Sequence, residues 1–553
     1  MKKTTFLIFF ILAIFAAISV VLLFGFIRSL GPSDPAQLVP ANTVAFACAP
    51  NLIQTALRWP RSSLAKIAQE PDVKDFLKDP ISHFFQGDPG IGNQILAAKP
   101  RTIFLALTRL SPQGTHVLLG FQFLGSHQTA NAALEFLRSK IIRTDAIASR
   151  SSVRYHSDTI DSVIYQNTTI YSAMHGRWGF ISNDLPALQD ALNRAARRNS
   201  GPSLKQHPDY LQTAAHLPKR PDLKIFINSK FALDALLAVG TSMGSIPDAV
   251  QVQQLQKLGS LTISSRFEGP NFRDTLAVIL HNPPLINPLQ HIAIKFTRPE
   301  TLAYLEVAKQ GFPLFEISLL ANKLLECLAD TQFSLQAFDQ IFGSEAALFC
   351  SWSSTNFRPS ANLVTEVRDR TPVISWLDRM GFKPLPPNLK WPNITSYQSK
   401  SSQSSLIVPT VAFKENLLLA GLTDLDVEET LSSEGSSITL ENSPAFAPAL
   451  QRYQSQNVLF AFINTKELFE RVYALLRPVI SFGAAMRPDI MQEFDISKLP
   501  SATSISKHLQ PIVALQQLQG NVMVFDSTGP VTLDQALLVL LLVKMGLLSV
   551  PQP

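Results

Sequence analysis

One pentapeptide in the chain has the spacing of a catalytic serine. Residues 240–244 read Gly-Thr-Ser-Met-Gly and fit G-x-S-x-G, the nucleophile elbow of α/β-hydrolases, which presents a serine for attack on an acyl carbonyl. The elbow needs a strand before the serine and a helix directly after it. Residues 231–239 instead have a helical pattern, and residues 245–248 resemble a loop between helices. The context therefore favours an inter-helix turn at Ser242, with a serine hydrolase kept as an unfavoured alternative.

The remaining candidates for chemistry lack the spacing that a site needs. The ten histidines are dispersed, and none forms the i, i+4 pair of a helix-borne metal site. Residues 89–92 (Pro-Gly-Ile-Gly) lack the third glycine of a dinucleotide fingerprint, and there is no Walker pattern. We therefore predict no catalytic residue, no metal, no cofactor and no enzymatic activity.

The cysteines are too few for a disulfide framework. Cys48, Cys327 and Cys350 are the only three, and their spacing is not that of a metal site. Cys48 and Cys350 lie in apolar, strand-like runs, where buried free thiols are common. The sequence leaves open whether any two of the three are bonded.

The distribution of charge along the chain shows no basic stripe of the kind that binds nucleic acid. The net charge is +6 over 553 residues, and the densest basic cluster is residues 194–198, Arg-Ala-Ala-Arg-Arg. This cluster falls at a predicted helix end, where cations are favoured by the helix dipole and are normally solvated. We therefore expect no nucleic-acid partner.

The chain repeats itself. Residues Phe226–Lys230 (Phe-Ile-Asn-Ser-Lys) return as Phe462–Lys466 (Phe-Ile-Asn-Thr-Lys), and 462 minus 226 is an offset of 236. Pro208 and Pro444 share this offset, and further matches keep their order along the chain. A period of this length is far too long for a solenoid. The sequence predicts two tandem homologous domains.

Local signals within each copy favour an α+β class. Asn183-Asp184 and Thr423-Asp424 each separate a short apolar run from residues at helical spacing, so both pairs predict a strand followed by a capped helix. Asn228 and Asn464 are predicted caps where a strand turns into a helix. Ser-Pro-Gln-Gly at 111–114 predicts a hairpin turn. Each domain is therefore expected to be a mainly antiparallel sheet with packed helices. Further strands are predicted at 43–48, 102–108, 116–123, 162–165, 176–181, 260–267 and 274–280, with Asp158 and Asp161 flanking a turn.

An apolar segment precedes the repeats. Phe6 to Ile27 contains no charge and no proline, and its 22 residues suffice to span a bilayer. Lys2 and Lys3 outnumber the single Arg28 that follows, which places the N-terminus in the cytoplasm and the rest of the chain outside it. A cleaved signal peptide is the alternative, but a small-x-small cleavage site is absent.

A second apolar run lies at residues 536–550. This run has 15 residues, is interrupted by Lys544, and is short for a span. It is typical of a buried or interfacial helix, although membrane insertion stays open. The predicted organisation is a transmembrane anchor at 1–30, a first repeat at 31–284, a second repeat at 285–535 and a hydrophobic tail at 536–553.

The N-terminal half of the chain resembles a known bacterial group. The lysine-led anchor, the Leu-Val-Pro-Ala-Asn-Thr-Val-Ala-Phe run from Leu38 and the Trp-Gly-Phe-Ile-Ser-Asn-Asp-Leu run from Trp178 are similar to membrane-anchored envelope proteins with domain of unknown function 3352. The resemblance covers most of residues 35–280 and, more faintly, the second copy. It implies an extracytoplasmic location and an α+β repeat, and it carries no functional residues.

These observations lead to a non-enzymatic, single-pass protein of the bacterial inner membrane. Its duplicated periplasmic region is expected to bind or scaffold an envelope partner. The alternative from the binding class is a carrier of a lipid or other apolar ligand held between sheet and helices.

Overall fold

The computed structural model describes residues 32–85, 97–141, 147–165, 168–242, 249–309, 340–353, 358–400, 407–453, 456–486, 496–533 and 535. The chain forms two compact units. The first comprises residues up to 57, 83–252 and 258–266, and the second comprises 58–82, 253–257 and 267 onward. The predicted repeat boundary between 284 and 285 concerns sequence copies and stays a prediction.

Twenty strands are present in the described part of the chain. Their bounds are β1 Ala45–Ala49, β2 Pro100–Ser111, β3 Gly114–Phe123, β4 Ile147–Tyr155, β5 Asp158–Tyr165, β6 Thr168–His175, β7 Trp178–Ser182, β8 Leu223–Ile227, β9 Leu258–Glu268, β10 Asn271–Leu280, β11 Thr301–Ala308, β12 Phe342–Ser351, β13 Ser360–Val367, β14 Phe382–Pro384, β15 Thr395–Ser399, β16 Thr410–Lys414, β17 Leu417–Gly421, β18 Leu459–Ile463, β19 Ile512–Gln519 and β20 Val522–Gly529.

The α-helices that the structure describes follow the same chain order. Their bounds are α1 Leu52–Arg58, α2 Ser63–Gln69, α3 Pro71–Phe85, α4 His127–Ile141, α5 Leu185–Ala195, α6 Pro208–Ala214, α7 Ser229–Ser242, α8 Ala249–Gln256, α9 Arg370–Arg379, α10 Asp424–Ser433, α11 Ala447–Leu450, α12 Thr465–Met486 and α13 Ala502–Ser506. The predicted α+β class with a mainly antiparallel sheet is confirmed.

Every strand pair recorded within the first unit is antiparallel. The order is β4-β5-β6-β7-β3-β2-β1-β8-β9, with β9 belonging to this unit as far as Arg266. The predicted hairpin joins β2 to β3, with Ser111 paired to Gly114. Antiparallel neighbours need only short connections, which the many turn signals in the sequence supply.

The second unit is antiparallel in the same way. Its order is β14-β15-β16-β17-β13-β12-β11-β18-β19-β20-β10. The sequence-predicted caps start helices in both units. Asp184 accepts a hydrogen bond from the Ala187 amide at the start of α5, and Thr423 accepts one from the Asp426 amide at the start of α10.

One face of the central strands in the first unit carries the main core. Phe104, Phe46 and Phe226 lie on β2, β1 and β8, point to the same face, and are 0%, 1% and 0% exposed. Trp178 and Leu188 complete the same cluster. Apolar side chains at alternate strand positions are buried here under α5 and α6, which is the arrangement expected of a sheet with helices packed on it.

A segment from the N-terminal third of the chain belongs to the second unit. In the first turn of α3, Asp72 accepts hydrogen bonds from the Ser501 amide at 3.0 Å and the Ser504 hydroxyl at 2.6 Å, at the N-terminus of α13. Glu70 contacts Lys507 at 2.8 Å and His508 at 2.6 Å, just beyond its other end. Hydrogen bonds from these partners lower the pKa of both carboxyl groups. The short helix α13 is therefore clamped at both ends.

Two predictions concern membrane segments. The anchor between Phe6 and Ile27 and the apolar run at 536–550 both lie outside the described residues. Among the helices that are described, none is long and apolar enough to cross a membrane.

Candidate functional site

Ser242 is the last residue of a helix. It ends α7, and the strand before that helix, β8, finishes at Ile227. A helix therefore occupies the position where a nucleophile elbow would need a strand. The predicted helical segment before Ser242 is confirmed, while Gly244 lies outside the described residues.

The more informative surface is the second face of the sheet in the first unit. Register places Leu119, Leu105, Ala47, Ile225 and Ile263 in one row across β3, β2, β1, β8 and β9. All five are apolar and none is fully buried, and Leu105 at the centre of β2 is 48% exposed. This row lies back to back with the buried phenylalanines of the first face. We call it the first leucine row.

The second unit has a row of the same construction. Leu363, Leu348, Leu305, Ala461 and Ala514 align across β13, β12, β11, β18 and β19. Leu348 occupies the centre of β12 and is 50% exposed, close to the value for Leu105. We call this set the second leucine row. Leu105 and Leu348 thus occupy corresponding sheet positions, and each is about half exposed on an apolar face.

The two rows differ in how far they are covered. At the β18–β19 end of the second row, Ala461 is 6% exposed and Ala514 is fully buried, and Leu533 packs against this cluster. On β8, beside the first leucine row, Leu223 remains 42% exposed. Helix α7 lies against β2 in this unit, and its Leu236 is 50% exposed. The first leucine row is therefore less covered at this end than the second.

Such a face suits an extended apolar group. A row of aliphatic side chains offers contact area and no hydrogen-bonding group, so it gains free energy from any partner that removes it from water, at about 25 cal/mol for each Å². Backbone groups in the interior strands are already paired within the sheet, so binding here depends on side chains. The row therefore offers apolar contact and no group for catalysis or metal binding.

The buried ionisable groups of the first unit lie on the opposite face. Cys48 on β1 is paired in register with Lys224 on β8, and the Lys224 ammonium lies 3.9 Å from the centre of the Tyr210 ring. Burial lowers the pKa of Lys224 and raises the pKa of both Tyr210 and Cys48, the last to about 12. The predicted burial of Cys48 is confirmed, and both Cys48 and Cys350 are free thiols. Cys327 lies outside the described residues.

We expect Cys48 to resist alkylation in the folded protein. A thiol with a pKa of about 12 is protonated until the pH approaches that value, so only about one molecule in ten thousand carries the reactive thiolate at pH 8. Iodoacetamide at pH 8 should modify Cys48 at least 100-fold more slowly than an ordinary cysteine. Peptide mass spectrometry would measure this, with the guanidinium-unfolded chain as the control. Equal rates in the folded and unfolded chain would contradict the expected burial.

Two buried carboxylates of the second unit hold a loop. Glu345 on β12 accepts hydrogen bonds from the amides of Gln290 and Ile292 at 2.5 and 2.6 Å, and burial raises the pKa of its carboxyl group. Glu306 on β11, which is fully buried, contacts His291 Nδ1 at 2.6 Å. These contacts fasten residues 290–292 to the sheet, which is a structural role.

Sequence reasoning placed two polar groups incorrectly. Arg194 was expected to be solvated, yet it is 9% exposed because its guanidinium binds Asp190 and the carbonyls of Gly201 and Pro202. Asp158 was expected to flank a turn together with Asp161. Asp158 does follow the β4–β5 turn at 156–157 and contacts His175 at 3.0 Å, whereas Asp161 lies inside β5. In the described part of the chain, no three His, Cys, Asp or Glu side chains are grouped to hold a metal ion.

Comparisons with known proteins leave the site without a precedent. No protein-family profile matches the chain, and no curated protein does. Among solved structures, crystal form I of TP0453 has a TM-score of 0.25 and 12% identity, covering 46% of this chain and 81% of that one. Crystal form III has a TM-score of 0.26 and 11% identity, with 48% and 84% covered. Scores of this size support no inference from TP0453 to this chain.

Proposed function

We propose that this chain is a non-enzymatic, membrane-anchored protein of the bacterial periplasm that binds hydrocarbon on duplicated α+β repeats. The observation that carries the proposal is the pair of half-exposed leucines, Leu105 and Leu348, at the centres of apolar sheet faces. Monomeric proteins expose few contiguous apolar surfaces unless they bind something there. An acyl chain or another extended apolar ligand matches a row of aliphatic side chains.

Duplication is supported by details of packing. The strand orders β4-β5-β6-β7-β3-β2-β1-β8-β9 and β14-β15-β16-β17-β13-β12-β11-β18-β19 correspond strand for strand. Tyr210 meets Phe226 edge-on at 5.3 Å, and Phe446 meets Phe462 edge-on at 5.0 Å. Both members of the second pair lie 236 residues after those of the first, the same offset as the repeated pentapeptide. A repeated contact in one register favours two copies of one ancestral domain.

Repeated capping points the same way. Asn228 accepts a hydrogen bond from the Phe231 amide at the start of α7, and Asn464 accepts one from the Glu467 amide at the start of α12, each at 3.4 Å. The predicted caps at both asparagines are confirmed. We infer that Asn228 and Asn464 belong to the fold of each repeat and form no active site.

Cross-linking would test ligand binding directly. A diazirine-bearing fatty acid, activated on the full chain in its native membrane, should label peptides that contain Leu105 and Leu348. Leu105→Asp and Leu348→Asp should each reduce labelling at their own row by at least ten-fold, because a carboxylate in an apolar contact must be desolvated. Leu389→Asp is the control, since Leu389 is fully exposed and belongs to neither row.

The outcomes separate the candidate functions. Labelling confined to residues 1–30, or unchanged by both leucine variants, would overturn hydrocarbon binding at the rows. The second candidate is scaffolding of an envelope protein, which two equivalent faces in one chain would favour by bivalent attachment. It predicts cross-links from the rows to a protein and none to the fatty acid. Alkaline extraction combined with protease accessibility of intact cells tests the membrane topology. A soluble cytoplasmic product would contradict the proposed membrane anchor.

A further inference from the structure

The first half of helix α12 in the second unit makes several polar contacts. The Thr465 hydroxyl donates to the Gln510 carbonyl at 2.5 Å, and Glu470 accepts from the Ser506 hydroxyl at 2.5 Å. Tyr473 donates its hydroxyl to the carbonyl of Pro500. These contacts involve residues from Thr465 to Tyr473, and the side chains of residues 474–480 and of Phe482 are exposed.

The second half of α12 presents apolar side chains to solvent. Val479 is 63% exposed and Phe482 is 69% exposed. At 100° per residue, the exposed apolar residues cover an arc of roughly 160°, while Arg477 lies on the other side. From residue 474 to the end of the helix, this arm is about 20 Å long. The exposed large apolar side chains of this arm are Leu475, Leu476, Val479, Ile480 and Phe482, and the exposed Val472 lies just before it.

An exposed apolar face of this size is expected to contact a partner that removes it from water. On a globular protein the apolar stripe of a helix faces the core, whereas here it faces solvent. Charge indicates the kind of partner: residues 474–486 include Arg477 and no acidic residue. A helix with an apolar face and basic groups is the kind that lies in the interface of a membrane with anionic lipids.

We propose that this arm, residues 474–486, inserts its apolar face into the boundary between headgroups and acyl chains of an anionic phospholipid bilayer. The positive charge of Arg477 favours anionic headgroups, whereas a second copy of the arm would bring a charge of the same sign. The proposal goes beyond hydrocarbon binding on the leucine rows, because it concerns a membrane surface and a different element.

An environment-sensitive fluorophore would test the insertion. Val479→Cys, in the full chain with Cys48, Cys327 and Cys350 replaced by alanine, is labelled with a nitrobenzoxadiazole dye and reconstituted into phosphatidylglycerol–phosphatidylethanolamine vesicles. Emission should shift to the blue, and nitroxide-bearing lipids should quench it while aqueous iodide does not. The matched control is Leu389→Cys in the same background, where iodide should quench and the lipids should not. Adding Arg477→Glu should reduce the blue shift.

Three results would overturn the proposal. One is equal iodide quenching at positions 479 and 389. Another is a blue shift that vanishes when the protein is diluted among vesicles, together with cross-links between two labelled arms. These results would show that a second copy of the chain contacts the apolar face of the arm. The third needs no substitution: amides 474–486 of the wild-type chain should exchange hydrogen more slowly in anionic than in zwitterionic vesicles, and equal rates would refute insertion. None of these measurements depends on the leucine rows, so this proposal and the proposed function can fail separately.

Discussion

Replacing Phe226 by alanine should lower the free energy of unfolding of the first unit by about 3–5 kcal/mol. The side chain is fully buried, and the ring of Tyr210 meets it edge-on at 5.3 Å. Truncation removes the apolar contact and leaves a cavity that the neighbouring rings fill only in part. Phe462→Ala should cost the second unit a similar amount, because Phe462 is also fully buried and meets Phe446 at 5.0 Å.

Denaturant unfolding with hydrogen exchange read by mass spectrometry would locate each effect. Phe226→Ala should speed exchange in β8 and β9, and Phe462→Ala in β18 and β19. The control is Leu105→Ala on the second face, which should cost about 1–2 kcal/mol because half of that side chain is already in water. A Phe226→Ala penalty no larger than the Leu105→Ala penalty would contradict the assignment of the two faces.

The local parts of this fold were predictable from sequence because their causes are local. Asp184 and Thr423 cap helices by accepting a hydrogen bond from an amide three residues ahead, so residue type and spacing suffice. The hairpin at 111–114 depends on turn residues that are adjacent in the chain.

The leucine rows could not be predicted, because β2 is apolar on both of its faces. Residues 102–108 form an almost continuous apolar run, and such a run does not tell which face is covered. Phe104 is fully buried and the next residue, Leu105, is 48% exposed. This difference depends on which helices pack against the sheet. The repeat could have related the two positions to each other, since Leu105 and Leu348 are centred in corresponding strands, although it does not tell which face is exposed.

Buried polar groups were missed for the same reason. The Arg194 guanidinium is withdrawn from water by carbonyls at 201 and 202, which reach it only after the chain turns back. Glu306 lies in an alternating strand where its charge predicts a solvated position, yet it is fully buried and contacts His291, whose backbone φ is 61°. Partners that are distant in sequence decide both cases.

Replacing His291 by alanine should destabilise the second unit by about 3 kcal/mol or more. The Glu306 carboxyl group is fully buried, and its Oε2 contacts His291 Nδ1 at 2.6 Å and the Tyr453 hydroxyl at 3.2 Å. Its Oε1 has no hydrogen-bond partner in the part of the chain that the structure describes. Removing the imidazole therefore leaves a buried carboxyl group whose remaining partners are the hydroxyls of Tyr453 and Tyr304, and its desolvation is then poorly compensated.

A matched pair in the first unit isolates the effect of burial. His175 contacts Asp158 at 3.0 Å, but its side chain is 25% exposed and Asp158 also accepts from the Ser157 hydroxyl, so His175→Ala should cost less than His291→Ala. Adding Glu306→Leu to His291→Ala should recover part of the loss, because the unpaired buried carboxyl group is then gone. Urea unfolding of the single and double variants would measure these differences. A double variant less stable than His291→Ala alone would show that the loss arises from packing of the imidazole, whose ring lies 3.8 Å from that of Tyr453. The contact between His291 and Glu306 would then be the wrong explanation.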